Sequence, residues 1–138
     1  MLRRYVLLFL LFVLLLHGSA HALAEINEWT VDIQIRDDGS TDWKVVQTYS
    51  EPITKADYFV FAGLSNVSIR ADGSPIVCSL QETAGTLITC DNVQAKTFQY
   101  EFHATGLVSE FKNVLVFRHK FALVQKTGKF RAAVSLPV

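Results

Sequence analysis

The segment EWTVDIQIR, residues 28–36, alternates strictly: Trp29, Val31, Ile33 and Ile35 fall on one side, and Glu28, Thr30, Asp32, Gln34 and Arg36 on the other. A period of two is the pleat of a β-strand with one buried face, and a helix would scatter these apolar residues around its circumference. DDGS at 37–40 follows as a tight turn, since Asp-Gly accepts the positive φ that hairpin turns demand. TDWKVVQTY then returns with Trp43 and Val45 on one face, so this hairpin carries both tryptophans toward the core.

The same grammar continues downstream. Glu51-Pro52 interrupts the ladder because proline has no N–H to donate. DYFVFAG, VSIRADG and PIVCSL then read as short strands rich in β-branched or aromatic residues. TLITC answers CSL across a turn, and KTFQYEFHA points Phe98, Tyr100 and Phe102 inward. NVLVFRHKFAL sets Leu115, Phe117 and Phe121 on one face, and KFRAAVSLPV groups Phe130, Ala132, Val134 and Leu136. Only LVSEFKNVLVF, 107–117, could support a short helical turn. Eight or nine short strands joined by polar turns predict an all-β fold, an antiparallel β-sandwich of Ig-like architecture, with a closed β-barrel as the alternative. Residues 25–138 suffice for one such domain and are too few for two.

The chain opens MLRRYVLLFLLFVLLLHGSAHALAEI. Arg3 and Arg4 form a positive start, Tyr5 to Leu16 is unbroken apolar sequence, and small residues in A-x-A pattern follow. Residues 1–22 therefore read as a signal peptide, with cleavage after Ala22 or Ala24. The apolar run stops at His17-Gly18-Ser19, short of the roughly 20 residues that span a bilayer, which leaves an uncleaved anchor as the other reading. The location expected is secreted or extracytoplasmic, with membrane anchoring open.

Lys plus Arg and Asp plus Glu number 13 each, so there is no basic excess to suit nucleic acid. The charge is unevenly placed: residues 23–75 hold 9 acids and 4 bases, residues 76–138 hold 4 acids and 7 bases. Either the two halves neutralise one another across one fold, or the basic side faces headgroups or an acidic partner.

The two cysteines, Cys78 and Cys90, flank Thr83-Ala84-Gly85. No C-x-x-C redox spacing or zinc spacing surrounds them. In an exported chain an even pair oxidises to a disulfide, with free buried thiols as the alternative. A three-residue hairpin loop with Gly85 at the left-handed position would set 82 opposite 86, 80 opposite 88, and Cys78 opposite Cys90. Opposed residues have Cα atoms about 4.5–5.5 Å apart, within disulfide reach.

Catalytic signals are sparse. His103 has the parity of a polar face, and His119, between Arg118 and Lys120, reads as an exposed strand end or an anion contact. No G-x-S-x-G elbow and no Gly-rich phosphate loop occurs. Asp37, Asp38 and Asp42 surround a turn, where Asp is favoured for local hydrogen bonds, and they lack the spacing of a calcium loop. Asn66-Val67-Ser68 is an N-glycosylation sequon in a polar bend between two expected strands. No catalytic, cofactor-binding or metal residue is expected.

The strand into DGSTDW (38–43), the short aromatic strands behind it and the closing F-x-x-x-V-S-L-P run (130–137) resemble the extracytoplasmic N-terminal β-domain of poorly characterised archaeal membrane proteins. The resemblance covers nearly all of 26–138. It implies further extracellular chain and a transmembrane helix downstream, so the expectation is a truncated or stand-alone version of that domain. It brings no catalytic residues. The reading is thus an exported, non-enzymatic cell-envelope binding or structural module with an unassigned protein or envelope partner. The alternatives are the extracytoplasmic sensor part of a membrane protein, or a small carbohydrate-active hydrolase using Asp37, Asp42, Asp57 or Glu101.

Overall fold

Alternation at 28–36 becomes the first of nine strands in the computed structural model, which describes residues 24–121 and 125–137. The expected signal segment and its cut at Ala22 lie outside those residues. The strands are β1 (Ile26–Ile35), β2 (Thr41–Val60), β3 (Leu64–Ala71), β4 (Ser74–Ile76), β5 (Ser79–Glu82), β6 (Thr86–Ala104), β7 (Val108–Phe111), β8 (Val114–Phe117) and β9 (Thr127–Ser135). Among the described residues there is no helix, and none that could cross a membrane.

Seven strands share one sheet, in the order β4-β3-β6-β2-β1-β9 with β5 also on β6, while β7 and β8 form a separate hairpin. The path runs from β4 to β9 without closing, so the barrel alternative fails. Every pair is antiparallel except β1 with β9, which is parallel. That exception was not anticipated: β9 reaches β1 by a crossover rather than a hairpin, which parallel pairing requires.

Two strands are far longer than the sequence suggests. Pro52 was expected to end a strand, yet β2 runs through it, and β6 likewise joins TLITC to KTFQYEFHA. The pairing does break here: Thr48 lies opposite Thr97, the next partners are Ile53 and Ala95, and then Lys55 and Asp91. Pro52 is tolerated because it sits where the register shifts and no ladder N–H is required. From Thr48 to Lys55 β2 advances seven residues while β6 advances six, so one extra residue accumulates on β2. Its buried set accordingly changes from odd positions (Trp43, Val45, Gln47, Tyr49) to even ones (Ala56, Tyr58, Val60) without leaving the inner face.

The break also folds the β2–β6 ribbon over. Tyr58 is paired with Ile88, yet its ring stacks on Tyr100 with centroids 5.1 Å apart. Ile88 and Tyr100 are twelve residues apart on β6, roughly 40 Å in a straight strand. The two ends of the ribbon therefore face each other as two layers. Trp29 from β1 meets Tyr58 edge-on at 6.0 Å, and Trp43 stacks on Phe102 at 5.5 Å. Phe98, Tyr100 and Phe102 are buried inward as their parity predicts.

Lys112-Asn113, both at positive φ, turn β7 into β8 as a two-residue hairpin where a helical turn had been considered. Leu115, expected on an inner face, is exposed there, whereas Phe117 and Phe121 are partly buried against the core. Phe130 and Val134 of β9, and Leu136 just beyond it, are also exposed despite their apolar stripe.

Cys78 and Cys90 form the disulfide, with Cα atoms 4.5 Å apart. The register is the one the turn implied, with Leu80 opposite Ile88 and Glu82 opposite Thr86. Gly85 is needed for a different reason than expected: its φ is not positive, but a Cβ there would lie 2.3 Å from the Val60 carbonyl oxygen.

Two outcomes follow from this core. Replacing both cysteines by serine should destabilise the domain by about 3 kcal/mol, the chain-entropy value for so short a loop, read as a lower urea midpoint. Burial pushes the Tyr49 hydroxyl up to about 12 and raises those of Tyr58 and Tyr100 as well. Above pH 10 the folded phenols keep protons that unfolded ones release, so this contribution is complete below pH 10 and is lost as pH rises toward about 12. Melting temperature should fall across that window, with tyrosinate absorbance appearing together with unfolding.

Candidate functional site

Strand register builds a polar row on the outer face of the sheet. Asp42 of β2 lies opposite Gln34 of β1 and His103 of β6, so the three side chains point outward in line. Lys44 lies opposite Asp32 and Glu101 in the next outward row. Arg36 Nε donates to Asp42 Oδ2 at 2.6 Å, and His103 Nδ1 lies 3.0 Å from Oδ1. The hydrogen bond from His103, then that from Arg36, holds the Asp42 carboxyl below its usual range. Gln99 Nε2 donates to Glu101 Oε1 at 2.7 Å, and Lys44 Nζ stands 3.9 Å from the same oxygen. Arg36, Asp42, Lys44, Glu101 and His103, with Asn66 and Ser135, line an open groove of about 550 Å³. A carboxylate on Nδ1 fixes the imidazole and leaves its second nitrogen for a ligand. Asp42, held ionised, is not a proton donor near neutral pH.

A second concavity is apolar. It measures about 220 Å³ and lies where β1 and β2 meet residues 119–121 and 125–127, lined by Ile26, Trp29, Gln47, Tyr58, His119 and Phe121, with half-exposed Asp57 at its rim. His119 packs edge-on against Trp43 at 4.8 Å and Phe121 at 4.7 Å. Burial lowers its pKa, so the ring is neutral at pH 7.

The placement of the expected residues is mixed. His103 is on the polar face as its parity requires, but its side chain is only 22% exposed and is tied to Asp42 rather than solvated. His119 is not an exposed strand end: it belongs to no strand and sits among aromatic rings. Asn66 is exposed, yet within β3 rather than between strands, at φ 52 where β3 slips register against β6. Asp38 accepts from the backbone N–H and hydroxyl of Ser40, as a turn Asp should, while Asp42 faces the groove. Of the carboxylates considered for hydrolysis, Asp42 and Glu101 share this groove, Asp42 and Asp37 also line an adjoining open concavity, and Asp57 lies elsewhere. Among the described residues no three His, Cys, Asp or Glu side chains converge as a metal set. The Arg36–Asp42–His103 row escaped the sequence reading; the turn alone aligned Gln34 with Asp42, but nothing local aligned β2 with β6.

No family model and no curated protein matches the chain. Among solved structures it is similar to an M1 zinc metallopeptidase from Deinococcus radiodurans, with a TM-score of 0.42 and 11% identity, over 63% of this chain and 22% of that one. It is similar also to native yeast LTA4 hydrolase, with a TM-score of 0.42 and 11% identity, over 62% of this chain and 16% of that one. The chain thus spans less than a quarter of either protein's length, and likeness at this level carries no activity across.

Asp42→Asn should weaken both contacts of the row. Because the Asp42 pKa is depressed, its contribution is present above pH 3.8 and is lost as pH falls through the lower folded value. The variant should therefore show a shallower loss of stability below pH 3.8, measured as the urea midpoint against pH.

Proposed function

We propose that this chain is an exported, non-enzymatic β-sandwich-like module of the cell envelope, working by association rather than chemistry through the open sheet edge at β9. Export is supported by the apolar N-terminal segment and by the Cys78–Cys90 disulfide, a bond that oxidising compartments preserve. The observation that carries the reading is the edge itself. Edge strands are ordinarily guarded by charge or proline, but Ala132 to Leu136 is AAVSL, with no charge until the chain reaches Pro137. Lys129 and Arg131, the basic residues of β9, are directed to Glu28 and Asp32 of β1 at 3.5 and 3.9 Å.

The occupant is a second copy of the same strand. Antiparallel pairing centred on Ala133 sets Arg131 opposite Ser135 and Lys129 opposite Pro137, so no like charges meet, and the two sheets become one about a twofold axis. A carbohydrate-active hydrolase is the second reading, favoured by Asp42 and Glu101 sharing one groove. Against it, Asp42, held ionised by Arg36 and His103, could act only as base or nucleophile, and both of its oxygens are already engaged by those neighbours.

Ala133→Lys separates edge pairing from folding. The side chain is exposed beside Asp32, so the monomer should melt within a few degrees of the native chain, while two like charges would face each other across the twofold axis. Sedimentation should show concentration-dependent dimers for the native chain and monomers for the variant. A native chain that stays monomeric at every concentration, or a variant that still dimerises, would overturn the proposal. Deleting 130–138 is a poorer test, since it also removes Phe130 from Trp29.

A further inference from the structure

The β7–β8 hairpin is separate from the seven-stranded sheet, and only one of its faces serves the core. Residues paired across two antiparallel strands point to the same side, and successive pairs alternate. Val108 with Phe117 and Glu110 with Leu115 therefore share one face, and Phe117 turns that face to the core, its ring 6.2 Å from Trp43. Ser109 with Val116 and Phe111 with Val114 share the other. The pairing continues one step past β8, where the Arg118 N–H donates to the Leu107 carbonyl at 3.1 Å. Alternation thus gives Arg118 to the outer face as well.

This outer face is apolar in the middle and cationic at both ends. Phe111 is 65% exposed and Val114 59%, an adjacent pair that the fold leaves in water. Lys112 at the tip holds its Nζ 5.3 Å over the Phe111 ring, and Arg118 closes the opposite end. Beside Arg118, exposed Lys120 lines an open concavity together with half-exposed Phe61. Glu110, the one carboxylate of the hairpin, belongs to the inner face.

We infer that the outer face of the β7–β8 hairpin is a membrane-contact surface, on which Phe111 and Val114 enter the bilayer interface and Lys112 and Arg118 meet the phosphates of anionic phospholipids. It shares with the edge reading only the export of the chain. Charge favours lipid, since the ions that bracket the apolar pair are both positive, the complement of an anionic headgroup layer. Size favours it too. Phe111, Val114 and half-buried Val116 offer far less than the roughly 1,000 Å² that a stable protein–protein interface buries. Interfacial binding asks for less, because apolar contact and charge add, and each basic residue near an anionic surface strengthens binding about fivefold.

Phe111→Trp places a reporter on this face, while Trp29 and Trp43 are buried and should not respond. With phosphatidylcholine vesicles containing about one-third phosphatidylglycerol, the emission of this variant should shift saturably to the blue. Phosphatidylcholine alone should require at least about tenfold more lipid, and about 1 M salt should reverse most of the shift. Adding Lys112→Gln and Arg118→Gln should weaken the binding about 25-fold, fivefold for each charge, with little change in melting temperature because both side chains are exposed. Attachment through the apolar segment at 5–16 would leave the reporter unmoved. No blue shift, an equal shift with phosphatidylcholine alone, a shift that follows protein concentration without lipid, or undiminished binding once the two charges are gone would each overturn the inference. Ala133 is on β9 and not on the hairpin, so the edge test and this one can fail separately.

Discussion

Tyr58 resting on Tyr100 is the contact through which the two halves of the sheet come to share one core. A two-stranded ribbon of this length has, if straight, one apolar face and nothing to bury it against. Folding at Pro52 and the neighbouring register shifts turns that face inward, so the ribbon supplies both of its own layers. Burying an aromatic side chain contributes about 1.5–3 kcal/mol, and Tyr49, Phe98 and Tyr100 are all but inaccessible around the fold. The extra residue on β2 is what makes this work. Without it the change of direction would place Ala56, Tyr58 and Val60 on the outer face.

The place of β9 is governed by a different balance. Among the described residues it pairs only with β1, and nearly all its side chains are exposed. The uneven charge along the chain is resolved here, with Lys126 on Glu25, Lys129 on Glu28 and Arg131 near Asp32. All six partners are at least half exposed, and pairs of that kind contribute 0–1 kcal/mol each. Phe130 against Trp29, with centroids 5.1 Å apart, is the stronger anchor. Charge therefore favours the parallel register, and one aromatic contact with the β1 ladder holds it. Among the described residues nothing covers the inner side of β9 beyond Phe130, and Val134, with Leu136 just past the strand, is exposed.

Where chemistry and register are local, the sequence was legible. The loop at 83–85 fixed Cys78 opposite Cys90, because a short turn determines every pair behind it. Long-range register was not legible. Nothing near Asp42 indicates that His103, sixty-one residues on, is its neighbour. Pro52 read as a stop because its missing N–H is a local fact, whereas its tolerance at a register shift depends on β6. His119 read as exposed between two cations, yet aromatic rings from β2 and from Phe121 enclose it, and only the folded ribbon brings those rings together. The parallel entry of β9 was missed for the same reason, since alternation specifies a face and says nothing of direction.

The two concavities differ in what a ligand would gain. In the outer groove both oxygens of Asp42 are engaged, and Glu101 has Gln99 and Lys44 beside it, so a polar ligand must compete with contacts already made and with water in an open site. The inner concavity is lined by Trp29, Tyr58 and Phe121 instead, so a ligand there would gain contact with rings rather than exchange one hydrogen bond for another. The richer set of charges therefore marks the surface where a polar ligand gains least, because each new hydrogen bond replaces one the protein already makes.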